Sequence, residues 1–184
     1  MTTDTGTRAD GRRTAGVMAD HVRAEHTVLA TRLGELTIVR DGGLMTGLYY
    51  PHHWYRPSPA SFGPRTGCGF ADVTRQLGEY LDGTRTQFDL PLDARGSEFQ
   101  HRIWELIAEI PYGHTTTYGD LARRLGGGAN ARDVGAAVGR NPLSILIPCH
   151  RVVGSTGKLT GYAGGLARKR ALLDLERTGS PRLW

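Results

Sequence analysis

The hydrophobic pattern of this 184-residue chain changes its period in the middle, and this change constrains the fold more than any other feature. Between residues 26 and 50, short segments of β-branched and aromatic residues are separated by Gly-containing turns, which predicts an antiparallel meander. A Pro-, Gly- and Ser-containing stretch over residues 51–67 predicts a loop. Apolar residues then recur at helical spacing from Phe70 to Leu81, and Gly83 ends that predicted helix. The first half is therefore predicted to be a small α/β unit.

The second half of the chain is predicted to be mainly helical. Three helix starts each pair a capping residue with a partner three positions later: Ser97 with Gln100, Thr117 with Asp120, and Asn130 with Asp133. The second and third of these helices are short and are joined by a Gly-rich turn, which is typical of a helix-turn-helix. The pattern alone is weak, because many helical hairpins do not bind DNA. A last helix is predicted over residues 166–176.

The net charge of +5 is distributed unevenly along the chain. Residues 1–94 hold 10 basic and 11 acidic side chains, a net charge of −1, whereas residues 95–184 hold 13 and 7, a net charge of +6. Nine basic residues and one acid lie between Arg123 and Arg170, a net charge of +8. Such a block favours a polyanionic partner, with nucleic acid as the first candidate. A solvated Arg-rich face without a partner is the alternative that charge alone leaves open.

The composition argues against several classes of protein. No apolar run approaches the roughly 18 residues that span a bilayer. Residues 1–24 are polar, predict a disordered tail and lack the apolar segment of a signal peptide, so we expect a cytoplasmic location. The two cysteines, Cys68 and Cys149, argue against a disulfide framework. Cys68 is predicted to be an ordinary, semi-buried thiol and no metal is predicted, because His52 and His53 lack the spaced second pair of ligands of a zinc site.

The segment from Pro148 to Val152 carries the residue types of nucleophilic chemistry. A cysteine attacks as its thiolate, and a neighbouring imidazole or cation can lower the pKa of the thiol. His150 and Arg151 follow Cys149 directly, but consecutive side chains need not face each other. From these residues alone, a buried structural cysteine followed by a surface histidine is an equal alternative.

The surrounding residues resemble those of the O6-alkylguanine-DNA alkyltransferases over nearly all of the second half of the chain. The most specific part is the run Asn141-Pro142-Leu143-Ser144-Ile145-Leu146-Ile147-Pro148-Cys149-His150-Arg151-Val152-Val153. The other matching segments are Phe99-Gln100, Ile103-Trp104, Pro111-Tyr112-Gly113, Thr117-Tyr118, Ala131-Arg132, Gly161-Tyr162 and Leu172-Leu173-Asp174-Leu175-Glu176. The resemblance implies a tail (residues 1–24), a small N-terminal ribonuclease H-like α/β domain (residues 25–94) and a helical C-terminal domain (residues 95–184). The last of these is expected to carry a winged-helix/helix-turn-helix DNA-binding motif.

The resemblance also implies a catalytic relay. Cys149 matches the residue that accepts the alkyl group. His150 would take the thiol proton through a water, and Glu176 would orient the imidazole, so the three residues form a Cys–His–acid arrangement.

Further matched positions concern the base and the DNA. Asn141 would brace the turn before the nucleophile, Tyr118 would hydrogen-bond the target base and help to rotate it, and Lys169 matches a lysine near the site. Arg132 matches the arginine that fills the space left by the flipped nucleotide. Ala163 stands where the family often has Ser or a bulkier residue, so one polar contact is expected to be missing. The other positions expected to contact DNA or the extruded base are Gly135, Ala136, Arg151, Tyr162, Gly164 and Gly165.

The implied function is direct reversal of DNA damage. A methyl or larger alkyl group would pass from O6-alkylguanine, and from O4-alkylthymine, to Cys149 in a single-turnover suicide reaction without a cofactor. The partner would be double-stranded DNA, bound through the minor groove by a monomer whose binding could be cooperative, with no role for a membrane. A non-catalytic lesion-binding module is one alternative, but such relatives replace the cysteine that is present here. A Cys–His hydrolase is the other alternative, and it would leave the basic helix-turn-helix unexplained.

Overall fold

The computed structural model describes residues 24–178, and its first part is a three-stranded antiparallel sheet followed by a helix. Strands β1 (Glu25–Thr31), β2 (Gly34–Asp41) and β3 (Leu44–Tyr49) are neighbours in chain order, which confirms the predicted meander. Gly42 and Gly43, between β2 and β3, both have a positive φ (59° and 86°), a conformation that glycine adopts without steric cost. The predicted tail lies outside the described residues except for Ala24, the first of them.

The segment after β3 leads through a loop into helix α1 (Ala71–Leu81). The loop contains one 3₁₀ turn, Pro59–Phe62, which the loop prediction did not include. The buried side chains of α1 belong to the same hydrophobic core as those of the sheet: Val73, Leu77, Tyr80 and Leu81.

The second part holds four α-helices and a short two-stranded parallel sheet. In chain order these elements are α2 (Glu98–Ala108), β4 (Thr116–Thr117), α3 (Tyr118–Leu125), α4 (Ala131–Gly139), β5 (Val152–Val153) and α5 (Leu166–Thr178). A second 3₁₀ turn, Cys149–Arg151, immediately precedes β5.

The predicted helix starts are confirmed by their hydrogen bonds. Ser97 and Thr117 each form a complete capping box, at the starts of α2 and α3. The side chain of Asn130 accepts hydrogen bonds from the backbone of Arg132 and Asp133, which begins α4. Helices α3 and α4 pack against each other and against α2, so the predicted pair of short helices joined by a Gly-rich turn is present.

One hydrophobic core extends through both parts of the described chain. Backbone hydrogen bonds join the two parts, including one of 2.8 Å from the Leu48 amide in β3 to the Pro142 carbonyl just before the active-site segment. The Arg168 side chain in α5 donates to the Leu33 carbonyl between β1 and β2. Segments of the first part are therefore held next to the loops of the second part that surround Cys149. No helix within residues 24–178 has the length and apolar character needed to cross a membrane.

Candidate active site

The turn that presents Cys149 is held by the side chain of Asn141. Its Nδ2 donates to the Ile147 carbonyl at 2.9 Å, and its Oδ1 accepts from the Leu143 amide at 2.9 Å. Between these two anchors, Ile145 has a φ of 72°, a left-handed conformation that is strained for a β-branched residue. Such strain costs on the order of 1–3 kcal/mol and persists only where the surrounding structure imposes it. The Asn141 side chain therefore bonds to both ends of the segment that leads to Cys149.

The thiol of Cys149 is buried at the start of its 3₁₀ turn. Burial raises the pKa of the Cys149 thiol, because a thiolate loses hydration there. The polar side chains of Asn141 and Ser144 and the positive charge of Lys169 oppose this rise. The thiol is consequently neutral in the resting site and needs a base before it can attack.

His150, the residue after Cys149, forms a fully buried pair with Glu176. His150 Nε2 lies 2.9 Å from Glu176 Oε1, so the ring donates its proton at Nε2 to the carboxylate. The other ring nitrogen, Nδ1, is buried and has no hydrogen-bond partner within the described part of the chain. Desolvation lowers the pKa of His150, although Glu176 acts in the opposite direction. The arrangement leaves a neutral imidazole with one lone pair free to accept a proton.

Arg151 lies in the interior, which corrects the expectation that its side chain contacts DNA. Its guanidinium forms a bidentate ion pair with Glu176, with Nη2 to Oε1 at 2.8 Å and Nε to Oε2 at 3.0 Å, and it also donates to the Ile110 carbonyl. Arg151 is therefore not available to contact DNA, and its charge is committed to Glu176 rather than to the thiol. Burial by itself would raise the pKa of the Glu176 carboxyl, but hydrogen bonds from His150, Arg151 and Tyr80 hold it below its usual value.

Tyr80 is a site residue that the sequence did not indicate. It lies on α1 in the first part of the chain, and its hydroxyl donates to Glu176 Oε1 at 2.6 Å and lies 3.3 Å from His150 Nε2. Its hydroxyl is thus one of four donors to a carboxylate that also accepts from His150, Arg151 and the Gly113 amide. No local motif marks this residue, since 96 positions separate it from Glu176.

We expect Tyr80→Phe to slow alkyl transfer by up to about tenfold, which corresponds to about 1.4 kcal/mol. Loss of one donor leaves Glu176 with more negative charge to direct at the imidazole, so the pKa of His150 should rise and the pH–rate profile should shift upward. Single-turnover rates across a pH series measure both effects. Glu79→Gln, a change of a half-buried side chain on the same helix, should alter neither. A slower rate with an unshifted profile would show that Tyr80 has only a structural role.

Lys169 is fully buried on α5 and holds the segment that follows the nucleophile. Its Nζ donates to the carbonyls of Val152 at 2.6 Å, Thr160 at 2.8 Å and Gly161 at 3.2 Å. Burial lowers the pKa of Lys169 to about 8, and the neighbouring Cys149 acts in the opposite direction. Lys169 therefore ties α5 to the backbone on either side of the loop after β5, and its role in the reaction stays a prediction.

A cavity of about 40 Å³ opens beside the thiol. Its lining residues come from both parts of the chain: Trp54, Tyr118, Gly135, Val138, Gly139, Cys149, Gly161, Tyr162 and Ala163. Of the residues predicted to contact the base, Gly164 instead packs on the Tyr50 ring, where an added Cβ would lie 2.5 Å from the ring, and Gly165 is exposed with a φ of 89°.

The basic block has both exposed and internal members. Arg132 and Ala136 are exposed on α4, as an interface with DNA requires. The other exposed cations of the block are Arg123, Arg124, Arg140, Lys158 and Arg170. Arg151, Arg168 and Lys169 are instead bonded to groups within the protein, so three of the nine charges do not form part of an open basic surface.

The second cysteine lies apart from this site. Cys68 is exposed, not semi-buried as predicted, because it follows Gly67 in an open loop ahead of α1. No cluster of three or more potential metal-ligating side chains is found among residues 24–178.

Comparison with known proteins relates the second part of the chain to a family of DNA-repair proteins. A family model described as "6-O-methylguanine DNA methyltransferase, DNA binding domain" matches residues 98–178, which include the two short helices, the cysteine turn and Glu176. The match spans 81 of the 184 residues, all of them in the second part of the chain.

Similar proteins extend this match over most of the chain. A methylated-DNA–protein-cysteine methyltransferase of Mycobacterium tuberculosis is 46% identical over 149 residues, covering 81% of this chain and 90% of that protein. The corresponding protein of Mycolicibacterium paratuberculosis is 46% identical over 159 residues, covering 85% and 94%. The crystal structure of Mycobacterium tuberculosis OGT in complex with DNA superposes with a TM-score of 0.79 at 42% identity, covering 85% of this chain and 95% of that one. The chain belongs to the methylated-DNA–protein-cysteine methyltransferase family.

Proposed function

We propose that this protein repairs alkylated DNA by transferring the alkyl group from O6 of guanine to Sγ of Cys149. The observation that carries the proposal is a buried thiol followed in the chain by His150, whose ring is paired with Glu176 and whose Nδ1 has no hydrogen-bond partner among the described residues. The names of the similar proteins and the DNA complex of a structural neighbour support the same activity.

The chemistry follows from the protonation states of the site. His150 accepts the thiol proton through a water, while Glu176 and Arg151 keep the imidazole in place. Sγ then forms a bond to the methyl carbon as the bond from that carbon to O6 breaks, and the bonding pair goes to the purine. The purine takes up the proton that the thiol lost, and Tyr118, which lines the cavity, would donate a hydrogen bond to the base. The net reaction exchanges a methyl group for a proton.

The product explains why the reaction should occur once per molecule. S-Methylcysteine is a thioether without an activated leaving group, so the site holds no means of removing the methyl group. O4-alkylthymine presents a similar alkylated oxygen and is the second substrate we propose. The reaction requires no cofactor.

We further propose how the protein meets DNA. The second part would be a DNA-binding domain of winged-helix character, with α3–α4 as its helix-turn-helix, and the first part a ribonuclease H-like domain. Helix α4 would enter the minor groove of double-stranded DNA, since Gly135 and Ala136 leave little side-chain bulk on it. Tyr162 would contact the extruded base within the pocket, with Gly164 and Gly165 in the loop that supports it. We propose that a monomer binds, and that binding along DNA could be cooperative.

Intact-mass spectrometry tests the activity directly. After incubation with a duplex that contains O6-methylguanine, the protein should gain the mass of one methyl group replacing hydrogen, and peptide mapping should locate it on Cys149. An unmethylated duplex should give no shift, and an O4-methylthymine duplex tests the second substrate. Turnover beyond one methyl group per molecule, or an adduct on Cys68, would contradict the proposal. A Cys–His hydrolase would instead show an acyl adduct with a peptide or ester substrate.

Arg132→Ala is expected to separate DNA binding from base extrusion. The exposed Arg132 lies in the first turn of α4 and would fill the gap in the duplex, offsetting part of an unstacking cost of a few kcal/mol. The variant should bind duplex DNA only a few-fold more weakly but repair O6-methylguanine in duplex roughly tenfold or more slowly. Its reaction with the free methylated base should be unchanged, because no extrusion is needed.

Two comparisons make the Arg132 test decisive. Arg132→Lys should restore only part of the duplex rate, because an ammonium cannot stack as a planar guanidinium does. If Arg132→Ala slows the duplex and free-base reactions by the same factor, Arg132 acts through the fold or the thiolate, and the assignment is wrong.

A further inference from the structure

The pocket beside Cys149 is closed on one side by a residue from the first part of the chain. Trp54 lies in the loop after β3, and its indole packs over Gly161, where an added Cβ would lie 3.2 Å from the ring. The loop is anchored on both sides of Trp54: Tyr50 is buried against Tyr162, and the Arg56 amide donates to the His53 carbonyl. Trp54 thus reaches from the first part of the chain to the active-site loop of the second.

The cavity is too small for a purine as it stands. Its volume of about 40 Å³ compares with roughly 300–1,000 Å³ for pockets that hold drug-sized ligands. Binding of an alkylated guanine therefore requires one wall to move. The side chains that line the cavity near the helix-turn-helix and the active-site loop are mostly small: Gly135, Gly139, Gly161 and Ala163.

The walls differ in how firmly they are held. Tyr162 is buried, with its hydroxyl 3.3 Å from that of Tyr50. The active-site loop is fixed by Lys169, which donates to the carbonyls of Thr160 and Gly161. Trp54 is 52% exposed, so its indole can swing outward without disrupting the core. It is the large wall residue with the most freedom to move.

We propose that Trp54 determines which alkyl groups reach Cys149. This inference rests on the proposed alkyl transfer. Cys149 is buried and lines this pocket, so the O6 substituent has to enter the pocket to reach Sγ. The purine displaces the indole whichever substituent it carries, and a wider substituent requires a further displacement. A methyl group adds little to that displacement, whereas a benzyl group meets the ring and is excluded.

The test compares two substituents in wild type and in Trp54→Ala. Single-turnover rates are measured with O6-methylguanine and O6-benzylguanine, each placed in the same duplex, with the adduct located by mass spectrometry. In Trp54→Ala the benzyl rate should rise roughly tenfold or more, and the methyl rate should change by less than about threefold, since specificity differences of this order accompany steric changes in apolar pockets. Trp54→Phe should be intermediate.

Tyr55→Ala is the matched control. Tyr55 is the next residue in the same loop and is 58% exposed, but it lies under the guanidinium of Arg140 and does not line the cavity at Cys149. It should leave the ratio of benzyl to methyl rates unchanged.

The outcomes distinguish this inference from the proposed function. If wild type transfers no methyl group to Cys149, the proposed function fails. If wild type transfers methyl but Trp54→Ala and Trp54→Phe keep the wild-type ratio, the size filter is wrong and the function stands. If both rates decline together in Trp54→Ala while its thermal midpoint matches that of wild type, Trp54 holds the base instead of limiting its size, and the filter is likewise overturned.

Discussion

Replacement of Cys149 by Ser is expected to abolish alkyl transfer while duplex binding stays within about twofold of wild type. A serine hydroxyl is a far weaker nucleophile than a thiolate, and removal of a nucleophile commonly costs at least about 10³-fold in rate. The side chain is buried and lines the pocket, whereas Arg132 on α4 is exposed, so the substitution leaves the surface proposed to meet DNA unchanged. Single-turnover transfer and a duplex-binding titration on the same preparation measure the two properties.

The second cysteine provides the control for this prediction. Cys68→Ser alters an exposed thiol outside the pocket and should leave the stoichiometry at one alkyl group per molecule. If transfer persists in Cys149→Ser, or is lost in Cys68→Ser, Cys149 is not the sole acceptor and the prediction is wrong.

Arg151→Ala is expected to destabilise the fold by about 3–5 kcal/mol, the usual cost of removing one partner of a buried ion pair. In wild type the Arg151 guanidinium makes a bidentate contact with Glu176, and both side chains are buried. Without it, a buried carboxylate is left without its guanidinium partner. For a chain of this size the thermal midpoint should decrease by roughly 6–20 °C. Thermal and urea denaturation measure the change.

Two further variants identify the cause of the Arg151 effect. Arg177→Ala removes an exposed arginine one residue after Glu176, whose ion pair with Asp174 spans 3.4 Å, and should change stability by no more than about 0.5 kcal/mol. Glu176→Gln in the Arg151→Ala background removes the unpaired charge and should recover part of the lost stability without restoring transfer. If Arg151→Ala is no more destabilising than Arg177→Ala, the buried pair is not a significant source of stability.

The secondary structure of the described chain could be predicted largely from the sequence, because its signals are local. The capping residues Ser97, Thr117 and Asn130 act on backbone groups within three positions, and the structure shows those hydrogen bonds. The meander of β1 to β3 follows from short segments of β-branched and aromatic residues and from the glycines in the turns between them. The family, too, could be inferred from the run around Cys149, and the comparisons confirm it.

The chemistry of the site could be predicted only in part. Glu176 lies 2.9 Å from His150, and the role of this pair as a relay stays a prediction. Adjacency in sequence left open whether Arg151 faces the thiol; its side chain pairs with Glu176, and burial raises the pKa of the Cys149 thiol. Neighbours in sequence within a 3₁₀ turn point in different directions, so adjacency did not indicate proximity of the side chains.

Local residue patterns predicted where the helices and strands begin and which family the chain resembles. They also marked Cys149 as the cysteine with reactive-type neighbours, since each of these signals depends on residues close together in the chain. Long-range packing, by contrast, sets which side chains lie around Glu176 and the pocket. Tyr80 reaches Glu176 across 96 positions, Trp54 reaches Gly161 from the loop after β3, and Arg151 turns inward to a carboxylate on α5. These contacts arise from the packing of the first part of the chain against the second around one core, and no local pattern specifies how two distant segments will meet.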